Sequence, residues 1–301
     1  DVAVVLPAFN EALSVAATVR AFQHALPGAH VVVCDNNSAD ATAGEAERAG
    51  ATVIAEPAGG KGNAIRRLLA SVEADIIVMS DADATYDAQA AVAMIAQLEA
   101  EHLDMVTGVR QASDERAFRR GHVLGNRLFN GLFSRLFSVT TRDVFSGFRV
   151  LSGRFARALP VQSSGFEIET EMSAVAATLK LSCGEHHVRY VPRQLGSTSK
   201  LRTYRDGFHI LLSYVHLMRS FQPIRLYGFM AASIMLLSLL IGLPIVVEFL
   251  QTGMVPRFPS AILASSLAII AMIILAAGSI LDAIARSRIE HLQLMIKLKE
   301  R

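Results

Sequence analysis

Apolar and polar residues alternate in blocks along the first hundred positions. Val2 to Leu6 is an unbroken apolar run that reads as a buried strand, and apolar positions from about Ala12 to Leu26 recur at helical spacing. Val31 to Cys34 is a second strand ending in Asp35, with a helix from about Asp40 to Ala49. Thr52 to Ala55 is a third short strand, Gly62 to Val72 a helix, Ile76 to Ser80 the fourth strand and Gln89 to Glu101 the next helix. Strands alternating with helices predict a parallel sheet covered on both faces. From Asp104 onward the pattern loosens. A helix is expected from Glu167 to about Leu181, and His186-His187 read as structural residues ahead of a further strand.

The last third changes character. Gly228 to Val247 and Pro259 to Leu281 carry no charge, and each run is long enough to cross a bilayer as a helix. The chain of 301 residues is 52% hydrophobic with a mean hydropathy of +0.38, and these two runs account for the excess. With so short a connector between them they predict a transmembrane hairpin rather than two buried core helices. Lys200, Arg202, Arg205, Arg219 and Arg225 precede it, and Arg286, Arg288, Lys297, Lys299 and Arg301 follow it, while the connector offers Arg257. Positive residues stay on the cytoplasmic side, so the N-terminal domain and the C-terminus are both expected there, on the inner membrane. The expected divisions are 1–203, a soluble domain; 204–226, an interfacial helix; 227–285, the hairpin; and 286–301, a basic tail.

Two further stretches are amphipathic. Between Phe118 and Phe137 the apolar positions Leu124, Leu128, Phe129, Leu132, Phe133 and Leu136 are interleaved with Arg127 and Arg135. Between Tyr204 and Phe221 the stripe is Phe208, Leu211, Leu212, Val215 and Met218. Such helices suit a headgroup surface, and packing on the sheet is the alternative for the first. Gly242 and Gly278 would permit close helix packing and self-association. A net charge of +2 gives no reason to expect nucleic acid, and Cys34 and Cys183 need not pair. No signal peptide is visible; the chain opens on a strand without Met, which suggests a trimmed start.

Chemistry concentrates at the strand ends. The segment IIVMSDADATYD ends a buried strand in Asp81-Ala82-Asp83, and two carboxylates so placed can share a hard divalent cation. The plainer alternative is a pair of turn aspartates capping the next helix. PAFNEA (7–12) closes the first strand, and CDNNSADAT (34–42) puts Asp35 after the second, with Ser38 or Asp40 able to cap the helix beyond. GGKGNA (59–64) leads into a helix N-terminus suited to phosphate or base contact, but it lacks the spacing of a Walker loop. In a parallel α/β sheet all four ends lie on the ligand-binding edge.

PAFNEA, CDNNSADAT, GGKGNA, SDADATYD, SGFRVL, GFEIETEM and GSTSKLRTYRDG follow one another in an order that resembles family-2 glycosyltransferases of the GT-A fold. The resemblance is to the branch of dolichol-phosphate mannosyltransferases and polyprenyl-phosphate glycosyltransferases, and it covers about two-thirds of the chain. A departure is Cys34, where relatives often carry a second acid.

The resemblance implies an α/β catalytic domain with a C-terminal membrane anchor. It also implies an inverting, metal-dependent transfer of a hexose from a GDP- or UDP-sugar to a polyprenyl phosphate. Pro7, Asn10, Glu11 and Asp35 would hold the nucleoside and Lys61 would sit near the base or diphosphate. Asp83 would ligate Mg²⁺ or Mn²⁺, with Asp81 orienting the ribose and a metal-bound water. The acceptor phosphate calls for cations: Arg110, Arg127, Arg149 and Lys200 are candidates, with Asp143 and Ser146 beside them. Arg149 in SGFR would lie at the reaction centre. Lys200 and Arg202, in the segment Gly196 to Arg205, would close over the donor phosphates. Glu167 or Glu169 would contact sugar hydroxyls or an acceptor-site arginine, unless they only serve the helix dipole. The rivals are a glycolipid or polysaccharide transferase with a hydroxyl acceptor, and a non-catalytic scaffold retaining the fold. The chain has no Trp and hence no QxxRW motif, which disfavours a processive synthase.

Overall fold

Strands that are apolar on both faces end up at the centre of a covered sheet, and this chain obeys that rule. The computed structural model describes residues 1–112, 120–165, 167–191 and 203–298. The first strand, β1 (Val2–Ala8), is flanked by β2 (His30–Asp35) and β4 (Ile76–Met79), both parallel to it, and β3 (Thr52–Ala55) lies outside β2. Ala3 to Leu6 and Ile77 to Met79 are almost wholly buried, whereas β3 is half-exposed at the edge. The helices between them are α1 (Val15–Ala25), α2 (Thr42–Arg48) and α3 (Lys61–Ser71), with α4 (Ala90–Ala100) after β4. Every element expected up to Glu101 is present.

Beyond Asp104 come β5 (Met105–Ala112), α5 (Arg120–Phe137), β6 (Arg149–Ser152), α6 (Gly153–Ala158), α7 (Ile168–Leu179) and β7 (Cys183–Tyr190). The sheet order is β3-β2-β1-β4-β6-β5-β7, with β6 antiparallel to both neighbours and all other pairings parallel. His186 and His187 lie inside β7 rather than before it. Phe148, just ahead of β6, is fully buried and packs its ring 6.0 Å from Phe22 of α1 and 5.2 Å from Tyr86. On α5, Phe133 and Phe137 are buried and stacked on each other, while Leu128 is exposed. That helix therefore commits one face to packing, the alternative reading of its stripe.

The chain divides into two compact units, one of residues 1–211 with 292–301 and the other of 212–291. A helix α8 (Thr203–Phe221) is followed by α9 (Pro223–Thr252), whose Pro223 opens the helix, and by α10 (Phe258–Leu298). Both α9 and α10 reach a mean hydropathy of 2.5 with only 17% of that window buried. They are long and apolar enough to cross a membrane, and they lack the burial of core helices. Within this unit Ser238 donates to Ala264 O at 2.7 Å, and a Cβ on Gly278 would meet Tyr227 Cβ at 2.5 Å. Gly278 thus serves packing inside the hairpin.

The Phe148 cluster joins β6 to α1 across the sheet, so Phe148→Ala should lower stability by about 3–5 kcal/mol. Thermal unfolding would show this as a lower Tm, and an unchanged Tm would contradict the packing described.

Candidate functional site

The chain steps from β1 to β2 and β3 on one side, then crosses to β4 on the other. Between the carboxyl ends of β1 and β4 lies the crevice where such sheets bind ligands. Pro7, Asn10 and Glu11 sit on the β1 side and Asp81 to Asp83 on the β4 side. Because β6 runs antiparallel, its beginning also reaches this edge, bringing Ser146 and Gly147 to the same place.

Lys61 opens α3 and reaches across to Asp81, with its ammonium also 2.5 Å from Glu169 of α7. The Lys61 side chain is 12% exposed and Glu169 3%. Burial pulls the ammonium toward neutrality, but the charges and hydrogen bonds of Asp81 and Glu169 outweigh it and hold Lys61 above the ordinary lysine range. Gly147 lets these groups approach, since a Cβ there would stand 2.7 Å from Asp81 Oδ2 and 3.0 Å from Lys61 Nζ. Gly60 is needed too. It adopts φ of 125° and packs against the backbone of Ser164, to whose carbonyl Gly62 N donates.

Asp83 is buried, and its Oδ1 accepts from Thr85 Oγ1 at 2.6 Å and Thr85 N at 3.2 Å. Between them Ala84 adopts φ of 56°, a left-handed conformation that costs a residue with a Cβ about 1 kcal/mol. The turn is held by its contacts, not by backbone preference.

At the end of β2, Asp35 Oδ1 is buried with no hydrogen-bond partner among the described residues. Buried oxygens without a donor are uncommon in folded proteins, so this atom fits an N–H or O–H from a ligand. Beside it, Asn36 donates to Glu56 O at 3.1 Å and Ala58 O at 2.7 Å and accepts from Gly60 N at 2.7 Å. It fixes the loop that carries Lys61. Sequence reading overlooked Asn36, although its place after a strand-terminal Asp was a usable signal. Asn10 accepts from Ala39 N and its own N–H donates to Ser38 Oγ, so Ser38 ties two loops together and caps no helix. Asp40 does sit at the start of α2, accepting from Thr42 N, and α1 begins later than expected because Glu11 N and Ala12 N donate to Thr42 Oγ1 and Asp40. Cys34 is wholly buried; burial first, then the charges of Glu56 and Asp35, push its thiol up to about 12.

The expected acceptor cations differ from one another. Arg110 makes a bidentate pair with Asp143, both bonds 2.7 Å, and lies over the Tyr190 ring. Arg149 is a correction: it is fully buried, donating to Ser146 O, Val144 O and Ser173 Oγ. Its guanidinium holds the 144–147 loop from beneath and does not open on the crevice. Burial lowers its pKa, against the pull of Glu169 and Asp143. Ser146 is buried, 3.5 Å from the Tyr86 hydroxyl. Arg127 is exposed on α5, and Glu167 stands at the N-cap position of α7 without a side-chain cap bond, its carboxylate accepting instead from Gly165 N ahead of the helix. Further along α7, Glu171 accepts from Gln162 N and Ser163 N and so fixes the loop beside Gly60. Lys200 and Arg202 lie outside the described residues.

The profile of the family "Glycosyl transferase family 2" matches residues 3–159. "Protein RfbJ" of Shigella flexneri is 46% identical over 123 residues, covering 40% of this chain and 95% of that one. "Glycosyltransferase AglJ" of Haloferax volcanii is 33% identical over 230 residues, 75% of each chain. Among solved structures, glucosyl-3-phosphoglycerate synthase from Mycobacterium tuberculosis in complex with UDP superposes with a TM-score of 0.57 at 20% identity, over 72% of this chain and 79% of that one.

Removing one partner from a buried ion cluster costs about 3–5 kcal/mol. Lys61→Met should therefore lower Tm sharply, and adding Glu169→Gln to it should restore part of the loss. Equal Tm for wild type and Lys61→Met would remove the cluster from the account. Raising the Cys34 thiol to about 12 means that its reactive thiolate is scarce at pH 8 and grows only as pH rises toward that value. Mass spectrometry after iodoacetamide treatment at pH 8 should find Cys34 unmodified in folded protein and modified in denaturant.

Proposed function

Because the chain belongs to the family Glycosyl transferase family 2, we propose that it is a membrane-anchored, inverting hexosyltransferase acting on a polyprenyl phosphate. Its donor is a nucleotide-diphosphate sugar and its reaction runs at the cytoplasmic face. The observation that carries this reading is the Asp81–Asp83 turn at the β1/β4 crevice, with the orphaned Asp35 oxygen on its nucleoside side.

The donor set fits a divalent cation held jointly with a diphosphate. Among the described residues no group of three or more His, Cys, Asp or Glu could hold an ion alone. Asp83 would thus hold the ion, with Asp81 acting through water, and a bound diphosphate would supply further hard oxygens, as suits Mg²⁺ or Mn²⁺. Such an ion supplies Lewis-acid neutralisation of the charge that develops on the leaving diphosphate. M. tuberculosis glucosyl-3-phosphoglycerate synthase has been crystallised with Mn²⁺ and UDP-glucose, which supports the same use here.

The protein's own part is orientation. Asp35 accepts from the base, Pro7, Asn10 and Glu11 line the nucleoside, and Lys61 holds Asp81 in line. A phosphate acceptor is already ionised near neutral pH, so the chemistry needs no strong base, only cations that hold one anion beside another. Arg110, Arg127 and Lys200 are the candidates for that work, with Lys200 and Arg202 closing over the donor. A hexose as the transferred group is in keeping with the relative "Low-salt glycan biosynthesis hexosyltransferase Agl6" of H. volcanii. The helices α9 and α10 supply the anchor, and the exposed Leu211, Leu212 and Val215 of α8 suit a headgroup surface.

Purified full-length protein mixed with polyprenyl phosphate and labelled UDP- and GDP-sugars should produce an organic-extractable labelled lipid. EDTA should abolish this, added Mn²⁺ should restore it, and Asp83→Ala should reduce it by about 100-fold or more. Label transferred only to hydroxyl acceptors would replace the polyprenyl reading, and full activity in Asp83→Ala would sink the metal role.

A further inference from the structure

Two hydroxyls, one just ahead of α1 and one in its first turn, meet the turn between the two acids, and neither belongs to a motif discussed so far. Ser14 and Thr18, one helical turn apart, are each 4% exposed. Ser14 Oγ lies 3.0 Å from Ala82 O and Thr18 Oγ1 3.2 Å from the same oxygen. Ala82, itself buried, stands between Asp81 and Asp83. Its carbonyl shares a rigid peptide plane with the Asp83 nitrogen, so the direction of that oxygen governs the direction from which the Asp83 side chain departs.

Ser14 Oγ also lies 3.0 Å from Glu11 Oε2, and Thr18 Oγ1 3.1 Å from Ser14 O. Each hydroxyl has a single proton to give. Thr18 can serve Ala82 O while Ser14 serves Glu11, or Ser14 can serve Ala82 while Thr18 bonds back along its own helix. Glu11 and Ala82 therefore compete for the Ser14 proton. A ligand donor at Glu11 would compete with Ser14 for that carboxylate and favour the Ser14 bond to Ala82.

We infer that Ser14 and Thr18 are positioning residues that aim the Asp81–Asp83 turn, and that Ser14 couples it to the nucleoside side through Glu11. The inference rests on the reading that this turn holds a divalent cation beside a nucleotide. A merely structural pair would affect folding stability and leave ligand affinities alone.

The test uses the full chain in detergent, with free Mn²⁺ followed by electron paramagnetic resonance and UDP or GDP binding by calorimetry. Thr18→Val keeps the shape and removes the hydroxyl; it should weaken Mn²⁺ binding in the presence of nucleotide about 3- to 10-fold, as expected for one lost hydrogen bond. Thr18→Ser should return it to the wild-type value. Ser14→Ala should weaken Mn²⁺ binding similarly and also reduce the gain in Mn²⁺ affinity that nucleotide confers. Unchanged Mn²⁺ affinity in both Thr18→Val and Ser14→Ala, with wild type binding normally, overturns the inference alone. Should Thr18→Val not fold, Ser14→Ala decides by the same criterion. Wild type that takes up no Mn²⁺ with either nucleotide overturns the donor-site reading and this inference with it.

Discussion

One ammonium group organises the working edge of this molecule. Lys61 begins a helix, Asp81 ends a strand and Glu169 lies in the first turn of a helix far along the chain, and all three meet in a nearly dry place. Two carboxylates would repel each other there, and a lone ammonium would lose its water without return; together they are mutually required. The rest follows as steric consequence. Gly147 must lack a side chain, Gly60 must turn with positive φ, and Asn36 must tether the loop before Lys61. The cluster carries one more acid than base, a residual negative charge suited to the cationic ligand proposed above.

Legibility from sequence tracks how local the causes are. The four parallel strands were readable because a strand covered on both faces is a plain run of Val, Ile and Leu. Of the later strands, one was expected, just after His186-His187, and the others were not. Strand β7, CGEHHVRY, lies half-exposed at the sheet edge and takes polar residues, and β6 opens on an arginine. Asp81 and Asp83 were legible because a buried strand ending in acids is a local anomaly. The partnership of Lys61 with Glu169 was hidden, since nothing in either neighbourhood names the other. Arg149 misled for a related reason: an arginine in a motif looks like a ligand contact until burial shows it bonded to its own loop. Glu169 and Glu171, two apart on one helix, likewise look alike in sequence but serve Lys61 and the 162–163 backbone respectively.

The C-terminal unit carries a surface that would suit a different solvent. Its helices expose Leu, Ile and Phe over most of their length; Ser238 donates inward to Ala264 O, while Ser233, Ser265 and Ser279 donate back to their own helices. In water that surface would be a liability; in hydrocarbon it is the ordinary condition of a helix.

The reversal of β6 has a consequence for how such a protein can diversify. Because β5 runs toward the ligand edge and β6 away from it, the chain leaves one strand and enters the next on the same side of the sheet. Everything between β5 and β6 is thereby bracketed by two neighbouring strands and begins and ends beside the crevice. A change in the length of that stretch would leave the order of β1 to β4 as it is.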